Sequence, residues 1–252
     1  MSQVQLSRSE KPWAIGALLT LGIILMGFVL SLPVLFLSLL FQPFNIPAGS
    51  MMPTFLAGDY FFVSKYAYGY SRYTWPFSSA PFVGRVWGSE PARGDVIAFL
   101  LKDNSTVYIK RLVGLPGDRI QMRDGLLNIN GVPVARERLP DFVSIDPCGS
   151  GGLTKTKRWR ETLPNGVSYE TLDCVDNGFY DNTNVYTVPS GHFFVLGDNR
   201  DNSTDSRVLS AIGYVPLENL VGRAGMIFFS MGRDPAGTGS KVRFERIGSM
   251  VR

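Results

Sequence analysis

Hydrophobic and polar positions divide the chain into two regimes. From residue 12 to residue 58 no side chain is charged, and residues 13–41 run almost without interruption through Ala, Leu, Ile, Val, Phe, Met and Gly. About 20 apolar residues suffice to cross a bilayer core, so this run predicts a transmembrane helix. It is too long for the apolar region of a cleaved secretory signal. Pro33 is expected to kink the helix, and Trp13 stands where an interfacial aromatic belongs. Beyond residue 58 the pattern changes to short β-branched and aromatic runs at 60–68, 95–100, 107–113 and 126–134. Turn residues such as Lys102-Asp103-Asn104-Ser105 and Asn130-Gly131 separate them, and no long amphipathic helix intervenes. That grammar predicts antiparallel hairpins.

Residues 136–187 differ again: charged, Gly-rich and flanked by cysteines, they read as a small inserted subdomain. A strand over 188–196 then delivers a dense polar loop at 197–207, and 224–231 closes the core. The expected fold is mainly β. It comprises an N-terminal stretch 1–12, an anchor 13–41, an antiparallel β domain in two parts (42–135 and 188–233) around the insertion, and a tail 234–252. The Gly- and Arg-rich tail is expected to be loosely ordered.

Composition narrows the chemistry. The net charge of +4 is modest and no Lys/Arg run argues for nucleic acid, which leaves membrane lipid headgroups as the partner that charge alone suggests. The basic residues near the start favour a cytoplasmic N-terminus and place everything after residue 42 across the membrane. In an oxidising compartment Cys148 and Cys174 are expected to pair. Two cysteines and a single histidine, His192, exclude a four-cysteine zinc site and a histidine-rich metal site, and neither metal nor organic cofactor is expected. A Ser-His-Asp triad would have to use His192.

Three segments invite attention. Ser50 lies on a turn stiffened by Pro47, Gly49 and Pro53, where it is either a nucleophile or an ordinary loop serine. Lys110 alternates with Val107 and Ile109 and shares the other strand face with Tyr108 and Leu112. It is a solvated lysine or, if that face is inward, a desolvated base. Residues 197–207 carry Asp and Asn at short intervals, yet miss the calcium-loop spacing, and Arg200 and Arg207 suggest internal ion pairing.

Taken together, Pro47-Ala48-Gly49-Ser50-Met51-Met52-Pro53-Thr54, Gly58-Asp59, Arg93-Gly94-Asp95-Val96, Tyr108-Ile109-Lys110-Arg111, Gly114-Leu115-Pro116-Gly117-Asp118 and the loop from Gly197 to Arg207 resemble the bacterial type I signal peptidases. The resemblance implies a membrane-anchored serine endopeptidase with a β catalytic domain on the outer face of the inner membrane. Such an enzyme removes signal peptides from preproteins after small residues at −1 and −3. It implies Ser50 as nucleophile and Lys110 as neutral general base, with Ser203 orienting the amine. Asp205 and Arg207 would support it, with Arg111 and Asp198 as scaffolding. Met51, Pro47 and Ala48 would line substrate walls. Many relatives carry a serine two residues before the nucleophile to complete the oxyanion hole; Ala48 stands there in this chain. Rivals are a specialised processing peptidase of a conjugation or pilus system, or an inactive anchored binding module. His192 is expected to be structural, and the aromatics Tyr66, Tyr68, Tyr70, Tyr73, Trp75, Phe77, Phe82 and Trp87 are expected in part to meet the membrane interface.

Overall fold

The computed structural model describes residues 12–75, 84–101, 106–149, 152–233 and 239–251. It divides into two compact units, residues 1–40 and 41–252. The first is built on α1 (Pro12–Leu40), which runs with Pro33 inside it. Its stretch Leu19–Leu40 is long and apolar enough to cross a membrane. The hydroxyls of Thr20, Ser31 and Ser38 donate back to the carbonyls of Gly16, Phe28 and Leu35 at 2.9, 2.8 and 2.7 Å. No hydroxyl proton of these three is left to be desolvated in hydrocarbon.

The second unit is antiparallel β. Its main sheet is built from β1 (Phe41–Asn45), β2 (Asp59–Ser64), β3 (Val96–Leu100) and β4 (Val107–Gly114). It also takes in β12 (His192–Leu196), β13 (Val215–Pro216), β14 (Leu220–Arg233) and β15 (Ser240–Val242). The strand order is β1-β2-β14-β3-β4-β12-β13, with β15 added to β14. Alternation along β3 sends Val96 and Ala98 to one buried cluster with Met51, Phe55 and Phe61, and Ile97 and Phe99 to another with Tyr68 and Leu112. Both faces are therefore covered, and a side chain anywhere in the middle of the sheet is desolvated.

A smaller sheet holds β5 (Arg119–Arg123), β6 (Leu126–Ile129), β7 (Val132–Pro133) and β11 (Tyr186–Thr187). The β6–β7 turn is Asn130-Gly131 with φ of 55° and 83°, the left-handed pair that a two-residue hairpin needs.

The segment read as an insertion forms a three-stranded sheet of β8 (Ala135–Ile145), β9 (Leu153–Thr162) and β10 (Ser168–Asp173). Its strands carry no apolar alternation because cross-strand ion pairs and stacking hold them. Arg160 meets Glu137 at 2.9 Å and Arg158 meets Glu170 at 3.4 Å, while the guanidinium of Arg136 lies 4.0 Å from the Trp159 ring centre.

Three expectations shift. The strand begun at Tyr60 ends at Ser64, and Lys65–Ala67 form a 3-10 turn ahead of Gly69, which bends the chain at φ 76°. The strand expected from 188 begins only at His192, because Pro189 and Gly191 close a turn in which the His192 N–H donates to the Pro189 carbonyl at 3.2 Å. Nor is the tail loose over its described residues 239–251. Arg243 and Arg246 reach the wholly buried carboxylate of Asp59 at 3.3 and 2.5 Å, and β15 pairs with β14. A buried carboxylate needs cationic partners, and the tail supplies them. The Lys102–Ser105 turn, Phe77 and Phe82 lie outside the described residues.

Candidate active site

The turn that carries Ser50 is pinned from beneath. Met51 and Phe55 are 1% and 0% exposed, the Phe55 N–H donates to the Met51 carbonyl at 2.9 Å, and Met52 donates to Gly49 at 3.1 Å. Pro47 and Ala48 stay exposed beside the serine. Met51, expected on a substrate wall, is instead a core side chain, because the turn points it at Phe55 and Phe61.

Lys110 comes from the adjacent sheet, opposite Ile97 in the β3–β4 ladder. It is 4% exposed, and its Nζ lies 2.8 Å from Ser50 Oγ. Burial pulls the amine down from an ordinary 10.5 to about 8; the charges of Asp205 and Asp198 pull the other way, and Arg207 adds to the depression. A lysine so placed is neutral in about one molecule in ten at pH 7, enough for a hydroxyl to find a proton acceptor.

The loop after β12 frames the pair. At Gly197 a Cβ would stand 2.2 Å from Ser203 Oγ and 2.7 Å from the Ser50 carbonyl, so only glycine lets the two segments touch. The Gly197 N–H donates to Asp205 at 3.0 Å, and Arg207 clasps the same carboxylate through Nε and Nη2, each at 2.8 Å. Burial works to raise the Asp205 carboxyl, but Arg207 and these donors outweigh it and hold it below the usual carboxylate range. Asp198 takes both Arg111 Nε and Nη2 at 2.7 Å and also accepts from Thr54 at 2.5 Å. Asp201 caps the N–H groups of Cys174 and Val175 at 2.7 and 3.0 Å. The density of acids in this loop is thus an ion-pair and capping network.

Ser203 does not make the expected bond to Lys110; its Oγ is buried and has no hydrogen-bond partner among the described residues. Cys148 and Cys174 form a disulfide. Beside it the Pro147 carbonyl accepts from Asn199 and Asn202 at 2.6 and 3.1 Å, and Asn199 also donates to the Gly49 carbonyl at 3.1 Å and, through its backbone, to Ser50 at 3.1 Å. The bridge therefore leads directly into the Ser50 turn. His192 opens β12 at the end away from Leu196, which pairs with Arg111, and so sits about 13 Å along the strand from the site. Its ring lies 2.9 Å from the Ser190 carbonyl.

Sequence reading missed Thr54, Tyr169, Glu161 and Arg200 as partners of this site. Arg111 stacks 4.1 Å over Tyr169, whose hydroxyl donates to Glu161 at 2.8 Å, and Glu161 pairs with Arg200. Nothing in the pattern of the 136–187 segment marks Tyr169 and Glu161; internal pairing was expected for both loop arginines, and it holds for Arg207 with Asp205 but not for Arg200, which pairs with Glu161 outside the loop.

The family profile described as "Signal peptidase, peptidase S26" matches residues 17–229. This chain belongs to that family. The signal peptidase I of Rickettsia typhi is 42% identical over 212 residues, covering 81% of this chain and 77% of the relative. That of Rickettsia conorii is 42% identical over 213 residues with the same coverage. A solved signal peptidase I from Enterococcus faecalis is 29% identical over 54% of this chain and 97% of that one, with a TM-score of 0.32, too low to bear on the fold. This signal peptidase is accordingly a serine-peptidase hydrolase of the signal-peptide-removing family, and its apolar helix fits a membrane anchor.

Proposed function

We propose that this signal peptidase cleaves exported preproteins after small residues at −1 and −3 with Ser50 as nucleophile and Lys110 as general base. One observation carries the reading: a buried lysine, its proton affinity lowered, lies 2.8 Å from a partly exposed serine hydroxyl. Ser50 Oγ attacks the scissile carbonyl carbon while Lys110 Nζ takes the hydroxyl proton. The carbonyl π pair moves onto oxygen. It returns as the C–N bond breaks, and Lys110 gives its proton to the leaving amine. Water then attacks the acyl-enzyme, with Lys110 again the proton acceptor, and the serine is restored. On this reading the catalytic unit lies on the extracytoplasmic side, and the Cys148–Cys174 disulfide supports it, since such bonds persist in oxidising compartments.

The test is cleavage of a preprotein bearing an Ala-x-Ala site by the detergent-solubilised full chain, beside Ser50→Ala and Lys110→Met. Cleavage after the second alanine, lost in both variants, is the expected result. Activity that survives Lys110→Met moves the base elsewhere.

A further inference from the structure

Attack by Ser50 creates an oxyanion, and one backbone N–H, that of Ser50, is a single donor for it. The Ala48 side chain has none to add. We propose that Asn202 is the second donor: its side-chain amide binds the oxyanion of the tetrahedral intermediate. This rests on the Ser50–Lys110 reading and assigns a further residue to it.

Position comes first. Asn202 Nδ2 lies 3.5 Å from the point that a Cβ on Gly49 would occupy, and Gly49 immediately precedes the Ser50 N–H. Because residue 49 has no side chain, nothing of its own stands between the amide and that backbone donor. Orientation comes second. Nδ2 donates one hydrogen to the Pro147 carbonyl at 3.1 Å, which identifies the nitrogen end of the amide. Its second hydrogen has no acceptor among the described residues, and the side chain is only partly buried, so a substrate carbonyl can reach it. Rigidity comes third. The same Pro147 carbonyl holds Asn199 at 2.6 Å, Asn199 is latched to Gly49, and the neighbouring Cys148 is tied to Cys174. An amide clamped before the charge appears costs no reorganisation when it does appear, which is what makes such a donor effective. The other unpartnered hydroxyl nearby, Ser203 Oγ, lies across Gly197 on the carbonyl side of Ser50 and is buried.

The experiment compares kcat and KM for preprotein cleavage in the wild-type full chain, Asn202→Ala, Ala48→Ser and the double variant, with Ser50→Ala as reference. Asn202→Ala should lower kcat by about 10²–10³ while KM moves by less than about threefold. Ala48→Ser in the wild-type background measures what the added hydroxyl does on its own. In the Asn202→Ala background it should recover at least about tenfold, because a new hydroxyl replaces the lost amide. Asn202→Asp keeps the shape, removes the donor, and should lose as much as alanine. A kcat for Asn202→Ala within about threefold of wild type overturns the assignment. So does a loss that Ala48→Ser leaves unrestored, since that pattern belongs to a residue that merely braces the loop. Cleavage persisting in Ser50→Ala would instead sink the Ser50–Lys110 reading itself, whatever Asn202 does.

Discussion

At the scale of single residues, Lys110 is an amine that burial holds against its charge. Folding lowers its proton affinity from 10.5 to about 8, so between those values the unfolded chain binds more protons than the folded one. Stability contributed by the neutral amine is present above pH 10.5 and is lost as pH falls through about 8. Lys110→Met should therefore gain up to about 3 kcal/mol at pH 6 and little above pH 10.5, read from urea midpoints at the two pH values. The catalytic counterpart is a kcat/KM that rises tenfold per pH unit on the acid side and reaches half its plateau near pH 8. A flat profile from pH 6 to 9 would leave Lys110 without the role of base. His192→Ala should keep the full rate, since the ring faces Ser190 at the far end of β12. That Ser50 and Lys110 belong together was legible only through the family resemblance of their motifs, since each residue's own setting suited a structural side chain as well. The burial of Met51 was not, since an apolar side chain beside a nucleophile suits a core and a substrate wall equally well.

Elements show where sequence reading succeeds and where it stops. Apolar alternation marked β3 and β4, and Asn130-Gly131 marked a hairpin, because each signal is local. The ion-paired sheet of β8, β9 and β10 escaped notice because its partners lie on other strands. β15 and the tail escaped for the same reason: a Gly- and Arg-rich end looks solvated until Asp59 is found buried against it. Removing Arg243 and Arg246 together leaves that carboxylate without a cation and should cost about 3–5 kcal/mol, measured by urea unfolding of the double alanine variant. An unchanged midpoint would make the tail an ornament.

At the scale of the whole molecule stand the disulfide and the exposed aromatics. Cys148–Cys174 closes a loop with a sequence separation of 26, for which chain entropy alone suggests about 3–4 kcal/mol. The Cys148→Ser, Cys174→Ser pair should lower the urea midpoint accordingly, and should slow cleavage as well, because Pro147 would no longer fix Asn199 and Asn202. Equal rates with and without the bridge would uncouple it from the site. Of the aromatics expected at the membrane, Tyr68 and Tyr70 are buried at 2% and 9%, whereas Tyr66 and Trp87 are 51% and 83% exposed. The fluorescence difference between wild type and Trp87→Phe should shift to the blue on transfer to anionic vesicles; no shift would remove Trp87 from the interface.

The brace on the Ser50 segment has a consequence in time. Arg246 Nη2 donates to the Thr54 carbonyl at 2.9 Å and to Asp59 at 2.5 Å, partners 192 and 187 positions earlier in the chain. Ser50 leaves the ribosome early, and the arginine that steadies its surroundings leaves late. A nascent chain halted before residue 246 carries its serine and lysine with the buried acid still unanswered. The surroundings of Ser50 are thereby completed only once Arg246 has been made, which ties the last brace of the turn to the late part of the chain.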